Sequence, residues 1–374
     1  MLEPRFFTES LLKHGTDFYA GVPDSLLKSL CAWLSDTCAP EKHIITANEG
    51  AAVALAAGHF LATGRPGCVY MQNSGEGNAI NPLASLTDAD VYNIPVLLLI
   101  GWRGCPGIHD EPQHVKQGKV TLPLLEAMGI PYSILSADAA EASAQIDTAF
   151  HVLSSGQTYA LVVRKDTFAL SGRPSVIADS DRQSLLTREE AIQIVAGATG
   201  PSDVIVSSTG MISRELFEYR ESSGEGHGRD FLTVGSMGHA SQIALGISLE
   251  QPQRRVWCFD GDGAVIMHMG SLAITASKAG VNFIHVVFNN GAHDSVGGQP
   301  TVGFQIDLAG VARACGYKQV YSVSTKDELV NVFSHLDGPV FIEVKVRKGN
   351  RPDLGRPTTT PIQNRDALMS FLKK

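Results

Sequence analysis

Short apolar runs alternate along this chain with stretches whose apolar residues recur every three or four positions. The runs predict strands over 17–20, 43–46, 68–72, 96–100 and 160–163 in the first half. In the second half they predict strands over 204–207, 231–234, 256–259, 283–288, 319–321 and 340–346. Runs that stay apolar on both faces, separated by amphipathic helices, belong to parallel sheets covered by helices on both sides. The alternation breaks near Ser171-Gly172-Arg173-Pro174-Ser175 and the polar run Asp179 to Ser184. Thr187-Arg188-Glu189-Glu190 then reads as a capping box that opens a new helix. The pattern therefore predicts two doubly wound α/β domains, 1–175 and 185–374, joined by a linker over 176–184. A last helix is expected over 364–372. No repeat is visible between the halves.

A length of 374 residues suits two or three domains. Hydrophobic content of 44% and charged content of 18% are ordinary for a globular protein. The net charge of −8 predicts no general attraction to nucleic acid or to an acidic membrane surface. No run approaches membrane-spanning length, and MLEPRFFTES lacks a basic-then-apolar leader. The six cysteines show no CxxC pair and no metal-ligand spacing, which suits buried free thiols in a reducing cytoplasm.

The candidate chemistry concentrates at strand ends. Residues 256–259 run into Asp260-Gly261-Asp262-Gly263, and residues 283–288 into Asn289-Asn290-Gly291. In a parallel βαβ unit both strand ends reach the same ligand-binding edge. Asp262 and Asn290 can meet there. A carboxylate and an amide carbonyl are hard oxygen donors suited to Mg²⁺ or Ca²⁺. Gly261 and Gly263 let backbone N–H groups approach an anion, with Ala264 next in the helix. The combination suggests a metal-bridged diphosphate.

The first half has comparable strand ends. Asp24 follows the first strand and can handle protons, although Asp24 or Ser25 serves equally to cap the next helix. Glu49 opens an Ala-rich helix, where an acid also suits the helix dipole. Asn73 and Ser74 follow the third strand and either shape a pocket wall or turn the chain. The segment from Cys105 to Thr121 reads as a long polar loop. With Arg103 before it, its Gln113, His114, Lys116 and Lys119 form a cluster able to hold a doubly anionic substrate. Arg347 to Arg351 is a basic run that reads as solvated.

GDG followed by NN resembles the diphosphate-binding motif of thiamine diphosphate (ThDP) enzymes. GVPDSLL at 21–27, ITANEGAAVALAAGHFLATG at 45–64 and MQNSGEGNAINPLASL at 71–86 narrow the likeness. So do LLLIGWRGCPG with DEPQHVKQGKVTLPLLEAMGIPY over 97–132, SSTGMISRELFE at 207–218 and GSMGHASQIALG at 235–246. Together they resemble the phosphonopyruvate decarboxylase family over essentially the whole chain.

The resemblance implies the ThDP-binding fold, with a pyrimidine-binding and a diphosphate-binding domain and no middle domain. It implies Mg²⁺ held by Asp262, Asn290 and the carbonyl of Ala292. Glu49 would activate the aminopyrimidine. Thr209, Gly210, Gly235, Ser236 and Met237 would line the cofactor, although Met237 also suits a core position. Asp24 and His114 would handle protons. Ser25, Asn73, Ser74, Arg103, Gln113, Lys116, Lys119 and His293 would face the substrate. The larger relatives carry paired histidines on the loop where Gln113 precedes His114, so their proton relay does not transfer directly. The implied reaction is decarboxylation of 3-phosphonopyruvate in phosphonate biosynthesis, by a homo-oligomer with active sites at the subunit interface. Sulfopyruvate decarboxylase is the alternative; a ThDP carboligase or a non-catalytic ThDP binder is further removed.

Overall fold

The computed structural model describes residues 1–170 and 182–374. Two compact units divide the chain, Met1–Val176 and Ile177–Lys374. Residues 171–181, which hold the expected break and most of the expected linker, lie outside the described residues.

The first unit contains β1 (Tyr19–Gly21), β2 (His43–Ile45), β3 (Cys68–Gln72), β4 (Leu97–Gly101), β5 (Tyr132–Ile134) and β6 (Tyr159–Val163). They form one parallel sheet in the order β2-β1-β3-β4-β6-β5. The central strands read as unbroken apolar runs because helices cover both faces. Leu97 and Leu99 of β4 enter one apolar cluster, Leu98 and Ile100 the other. The sequence pattern misses β5, an edge strand with Ser at its centre and only half-buried side chains.

The second unit contains β7 (Val204–Ser207), β8 (Asp230–Leu232), β9 (Val256–Gly261) and β10 (Phe283–Asn289). A small antiparallel pair follows, β11 (Ala292–His293) with β12 (Gln299–Pro300), then β13 (Gln319–Val323) and β14 (Val340–Lys345). The parallel sheet runs β13-β14-β10-β9-β7-β8. Counted within each unit, both sheets have the same order: second, first, third, fourth, sixth, fifth. The two halves therefore share one topology despite their lack of visible sequence repetition. In each, the first and third strands are neighbours whose connections leave in opposite directions. That divergence opens a crevice at the carboxyl ends of the strands, the usual ligand edge of such sheets.

The expected capping box is formed, with Thr187 Oγ1 accepting from the Glu190 N–H at 3.0 Å and Glu190 Oε2 accepting from the Thr187 N–H at 2.8 Å. The terminal helix is Pro361–Leu372, opened by a second such box at Thr360 and Gln363. The crossover after β9 is two helices, Asp262–Met267 and Ser271–Lys278. Beneath the ends of β9 and β10, His285 Nε2 lies 3.4 Å from Asp260 Oδ2, and His285 Nδ1 lies 3.1 Å from the Tyr317 hydroxyl. This buried polar stitch ties the two strands whose ends carry GDG and NN.

The segment 105–121 is the main departure from the sequence pattern. Its second half belongs to a helix, Pro112–Ala127, with Pro112 in the first turn. The inward positions of that helix include His114, Gly118 and Thr121. Polar and small residues at those positions hide the apolar spacing on which recognition of a helix depends. All six cysteines are free. Among the described residues, no helix is long and apolar enough to cross a membrane.

Candidate active site

In the first unit, Glu49 begins the helix Glu49–Thr63, whose N-cap Asn48 accepts from the Ala51 N–H at 2.9 Å. The Glu49 side chain is turned inward and only 4% exposed. Its Oε2 accepts from Asn78 Nδ2 at 2.7 Å. Its Oε1 lies against Gly75, where a Cβ would come within 2.3 Å. Burial pushes this carboxyl above its ordinary value, and Asn78 offsets only part of the effect.

Asp24, just past β1, is completely buried. Its Oδ1 accepts from Gln72 Nε2 at 2.7 Å, and its Oδ2 from the Leu26 N–H at 3.1 Å. Burial again raises the carboxyl, against Gln72 and Arg103. Gly101 at the end of β4 leaves the space Asp24 occupies. The following helix, Lys28–Thr37, has Leu27 as its N-cap, so neither Asp24 nor Ser25 is that cap. Ser74 is exposed, and its hydroxyl donates to Gln72 Oε1 at 2.8 Å. Asn73 is buried, with Nδ2 donating to the Arg103 carbonyl and to Thr121 Oγ1, both at 2.8 Å. Asn73 thus braces the loops after β3 and β4.

Asp110 is the hub of the next cluster. Arg103 Nε donates to its Oδ2 at 2.8 Å, as does the Gly104 N–H, and His114 Nδ1 lies 2.9 Å from its Oδ1. Burial alone would raise Asp110, but Arg103, His114 and Gly104 outweigh it and hold the carboxyl well below the usual range. Arg103 Nη1 also donates to the Ser25 hydroxyl at 2.6 Å. His114 is buried, and burial shifts it towards the neutral form. Its bond to Asp110 then places the ring proton on Nδ1 and leaves Nε2 as an acceptor. Gln113 Oε1 is buried without a hydrogen-bond partner among the described residues. Lys116 and Lys119 are exposed, on the opposite side of the helix from His114. The structure brings Ser25, Arg103 and His114 together but does not bring those two lysines to them.

In the second unit, Asp262 opens a short helix at the end of β9 and is 2% exposed. Its Oδ2 accepts the Thr301 hydroxyl, and the Asn290 backbone N–H also reaches the carboxylate. Burial nevertheless raises the carboxyl to about 6. Asn290 Oδ1 accepts from the Ala292 N–H at 3.0 Å, and its Nδ2 donates to Asp294 Oδ2 at 2.7 Å. Ala292 and His293 form β11. Burial lowers His293 to about 4.

Thr209 Oγ1 accepts from the Gly235 N–H at 3.1 Å, tying the loop after β7 to the loop after β8. Gly210 precedes the helix Met211–Ser223 at φ 97°. Ser236 is exposed at φ 48°. Met237 is partly exposed, not core, and it stands beside Gly263: a Cβ on Gly263 would lie 3.5 Å from Met237 Cε and 2.9 Å from His293 Cε1. Gly261 closes β9, and Ala264 is buried in the short helix that follows.

Asp294 organises this loop. Beyond Asn290, its Oδ2 accepts from Arg188 Nη1 at 2.9 Å and from the Gly349 N–H at 3.0 Å. Arg188 is itself fixed by a buried fork to Glu215, at 2.8 and 2.9 Å. The basic run 347–351 is anchored, not simply solvated. Lys348 Nζ donates to the Gly298 carbonyl, and Arg351 pairs with Glu189, Glu218 and Asp353.

Residues 5–122 match the N-terminal TPP-binding domain of thiamine pyrophosphate enzymes, and residues 208–344 match the C-terminal one. Phosphonopyruvate decarboxylase of Streptomyces viridochromogenes is 34% identical, over 96% of this chain and 92% of its own. That of Streptomyces hygroscopicus is 35% identical, over 93% and 88%. The chain belongs to the phosphonopyruvate decarboxylase family. It is a thiamine diphosphate-dependent 2-keto acid decarboxylase with the two cofactor-binding domains of that family and no middle domain. A sulfopyruvate decarboxylase of Methanosarcina acetivorans is 28% identical, over 91% of this chain and 90% of its own.

The residues of this decarboxylase fit the groups the family implies. Glu49 is a buried acid with a raised pKa, as a partner for a ring nitrogen requires. Asp262, Asn290 and the Ala292 carbonyl present only oxygen, the donor type of Mg²⁺. A cation there would offset the burial that raises Asp262. Asp110 opens the DEPQHVKQG stretch and Asp294 follows the metal loop, but that each gathers several donors is revealed only by the folded chain.

Proposed function

We propose that this protein decarboxylates 3-phosphonopyruvate to phosphonoacetaldehyde and CO₂ with Mg²⁺ and thiamine diphosphate, as a step of phosphonate biosynthesis. The carrying observation is the closer likeness, at 34–35%, to two phosphonopyruvate decarboxylases over nearly the whole chain. The sulfopyruvate decarboxylase stands at 28%. On this reading the protein acts in the cytoplasm as a homo-oligomer, at least a dimer, as the family resemblance implies.

Bound thiamine diphosphate would supply a carbon nucleophile and an electron sink for the electron pair that departing CO₂ leaves behind. The chain's own residues do the rest. Asp262, Asn290 and the Ala292 carbonyl hold the metal, and the loops at Thr209-Gly210 and Gly235-Ser236-Met237 shape the cofactor cradle. Glu49, raised by burial, would share a proton with the pyrimidine ring nitrogen. Asp24, buried next to Ser25 and near Arg103, is our candidate for passing a proton as the carbon that has lost CO₂ is protonated. His114 Nε2, left as an acceptor by Asp110, takes a proton from the hydroxyl that becomes the aldehyde. Positioned acids and bases of this kind contribute roughly 10²–10⁴-fold each. Ser25, Arg103 and Gln113 face the substrate, and His293 orders the loop beside Gly263.

Sulfopyruvate is the second reading, favoured by the Methanosarcina relative. Phosphorus NMR of a reaction with phosphonopyruvate tests the first. Phosphonoacetaldehyde should accumulate as starting material disappears; persistence of phosphonopyruvate alongside turnover of sulfopyruvate would reverse the order of the two readings.

A further inference from the structure

The first unit contains a cavity of about 240 Å³ at the carboxyl ends of β4 and β6. Its polar lining is Ser25, Arg103, His109, Asp110 and Lys165. Pockets for drug-sized ligands start at roughly 300 Å³, so this one suits a small acid or one end of it. Lys165 comes from the turn after β6, a place the sequence pattern left unassigned. Thr167 N–H closes that turn on the Arg164 carbonyl at 3.4 Å, and Asp166 sits at φ 62° within it. Asp tolerates this left-handed conformation better than most side chains.

The charges of the lining divide unequally. Arg103 is locked by Asp110 and Ser25, which use three of the five N–H donors of its guanidinium. Two donors remain, but Asp110 offsets the charge. Lys165 is exposed and makes no ion pair among the described residues, unlike Arg103. Arg103 thus offers rigid, directional hydrogen bonds, and Lys165 offers uncompensated positive charge. A tetrahedral oxyanion with more than one negative charge can use both, a fork for geometry and a point charge for charge. In a chain of net charge −8, such a pocket also sets a local field for anions.

We propose that Arg103 and Lys165 together hold the distal tetrahedral oxyanion of the substrate in this cavity, with Lys165 setting selectivity for dianionic over simple 2-keto acids. The proposal rests on the substrate reading above and replaces Lys116 and Lys119 as the source of the second cation. Ser25 anchors Arg103, and Asp24 adjoins Ser25, so the cavity sits beside the proton-handling carboxyl.

The test uses phosphonoacetate, which carries a phosphonate and a carboxylate but no keto group for turnover. It is titrated calorimetrically into the holoenzyme of wild type, Lys165→Met and Lys165→Arg. Lys165→Met should weaken binding roughly ten- to hundredfold, the size of one charge-assisted contact, and Lys165→Arg should restore most of it. In turnover, Lys165→Met should raise KM for phosphonopyruvate by a similar factor, with kcat little changed. Its kcat/KM for pyruvate should fall far less than its kcat/KM for phosphonopyruvate. Equal phosphonoacetate affinity in wild type and Lys165→Met would overturn the site. So would a parallel loss with pyruvate, which marks a structural role. A wild-type enzyme that binds phosphonoacetate through Lys165 yet turns over neither phosphonopyruvate nor sulfopyruvate would sink the substrate reading and leave the anion site standing.

Discussion

The Glu49 carboxylate rests directly against the backbone of Gly75, where a methyl group would lie 2.3 Å from Glu49 Oε1. No side chain other than hydrogen fits there without moving the acid. Gly75→Ala should therefore displace Glu49 and lower kcat at least about tenfold, since a small misplacement of a reacting group has that scale of effect. Glu49→Ala should remove most turnover. Both variants should still bind the cofactor through the second unit, which a near-ultraviolet circular dichroism titration with Mg²⁺ and thiamine diphosphate reads. Full activity of Glu49→Ala would remove that residue from the mechanism.

Asp262 carries the metal assignment. Asp262→Ala should abolish retention of thiamine diphosphate through gel filtration, and chelation with EDTA should strip the cofactor from wild type. Activity should return on adding Mg²⁺ and cofactor to the stripped wild type. Unchanged cofactor affinity in Asp262→Ala would refute the role.

Asp294 takes donors from Asn290, Arg188 and Gly349 on one oxygen. It fixes the Asn290 amide, whose Oδ1 is the proposed metal ligand. Partners of this kind are worth roughly 10–100-fold in metal affinity. Asp294→Ala should raise the Mg²⁺ and thiamine diphosphate concentrations for half-activation by that order, with KM for the keto acid nearly unchanged. An equal rise in both would point to a general distortion of the loop.

Glu76 gives the pH dependence. It is 5% exposed and lines a small apolar cavity with Met71, Ile80, Leu83 and Leu98, with the Thr121 hydroxyl offsetting only part of its burial. Burial raises it to about 8. A carboxyl raised on folding stabilises the fold below its unfolded pKa, and that stability drains away as pH climbs through the folded value. The apo-protein should lose stability between about pH 4.5 and pH 8 for this reason. Glu76→Leu should flatten that slope and raise Tm at pH 8 by at least about 5 °C, given about 2–4 °C per kcal/mol in a domain of this size. Thermal melts of both proteins across pH 5–9 check it; parallel curves would contradict it.

Much of this arrangement is legible in the sequence, and the parts that are not have physical reasons. Strands such as Val204–Ser207 and Cys68–Gln72 are buried on both faces, so their apolar runs coincide with the elements. Asp262, Asn290 and Glu49 stand at strand ends among small residues, where a motif can mark them. The helix Pro112–Ala127 escapes because its inward positions hold His114, Gly118 and Thr121. Lys165 escapes because nothing local distinguishes a turn lysine from any other, and Asp110, although it opens a family-like stretch, shows its role as a hub only once Arg103 and His114 are folded against it. Their meaning comes from Arg103, which lies on a different strand end from Lys165. The shared strand order of the two units escapes for a similar reason, since topology is set by which runs pair and not by their composition.

The most direct test of the account is CO₂ release by the purified protein with phosphonopyruvate, sulfopyruvate and pyruvate in parallel, with and without Mg²⁺ and thiamine diphosphate. The account predicts cofactor-dependent release that is fastest, in kcat/KM, with phosphonopyruvate and weakest with pyruvate. Release that ignores the cofactor, or a preference for pyruvate over both anionic analogues, would contradict it.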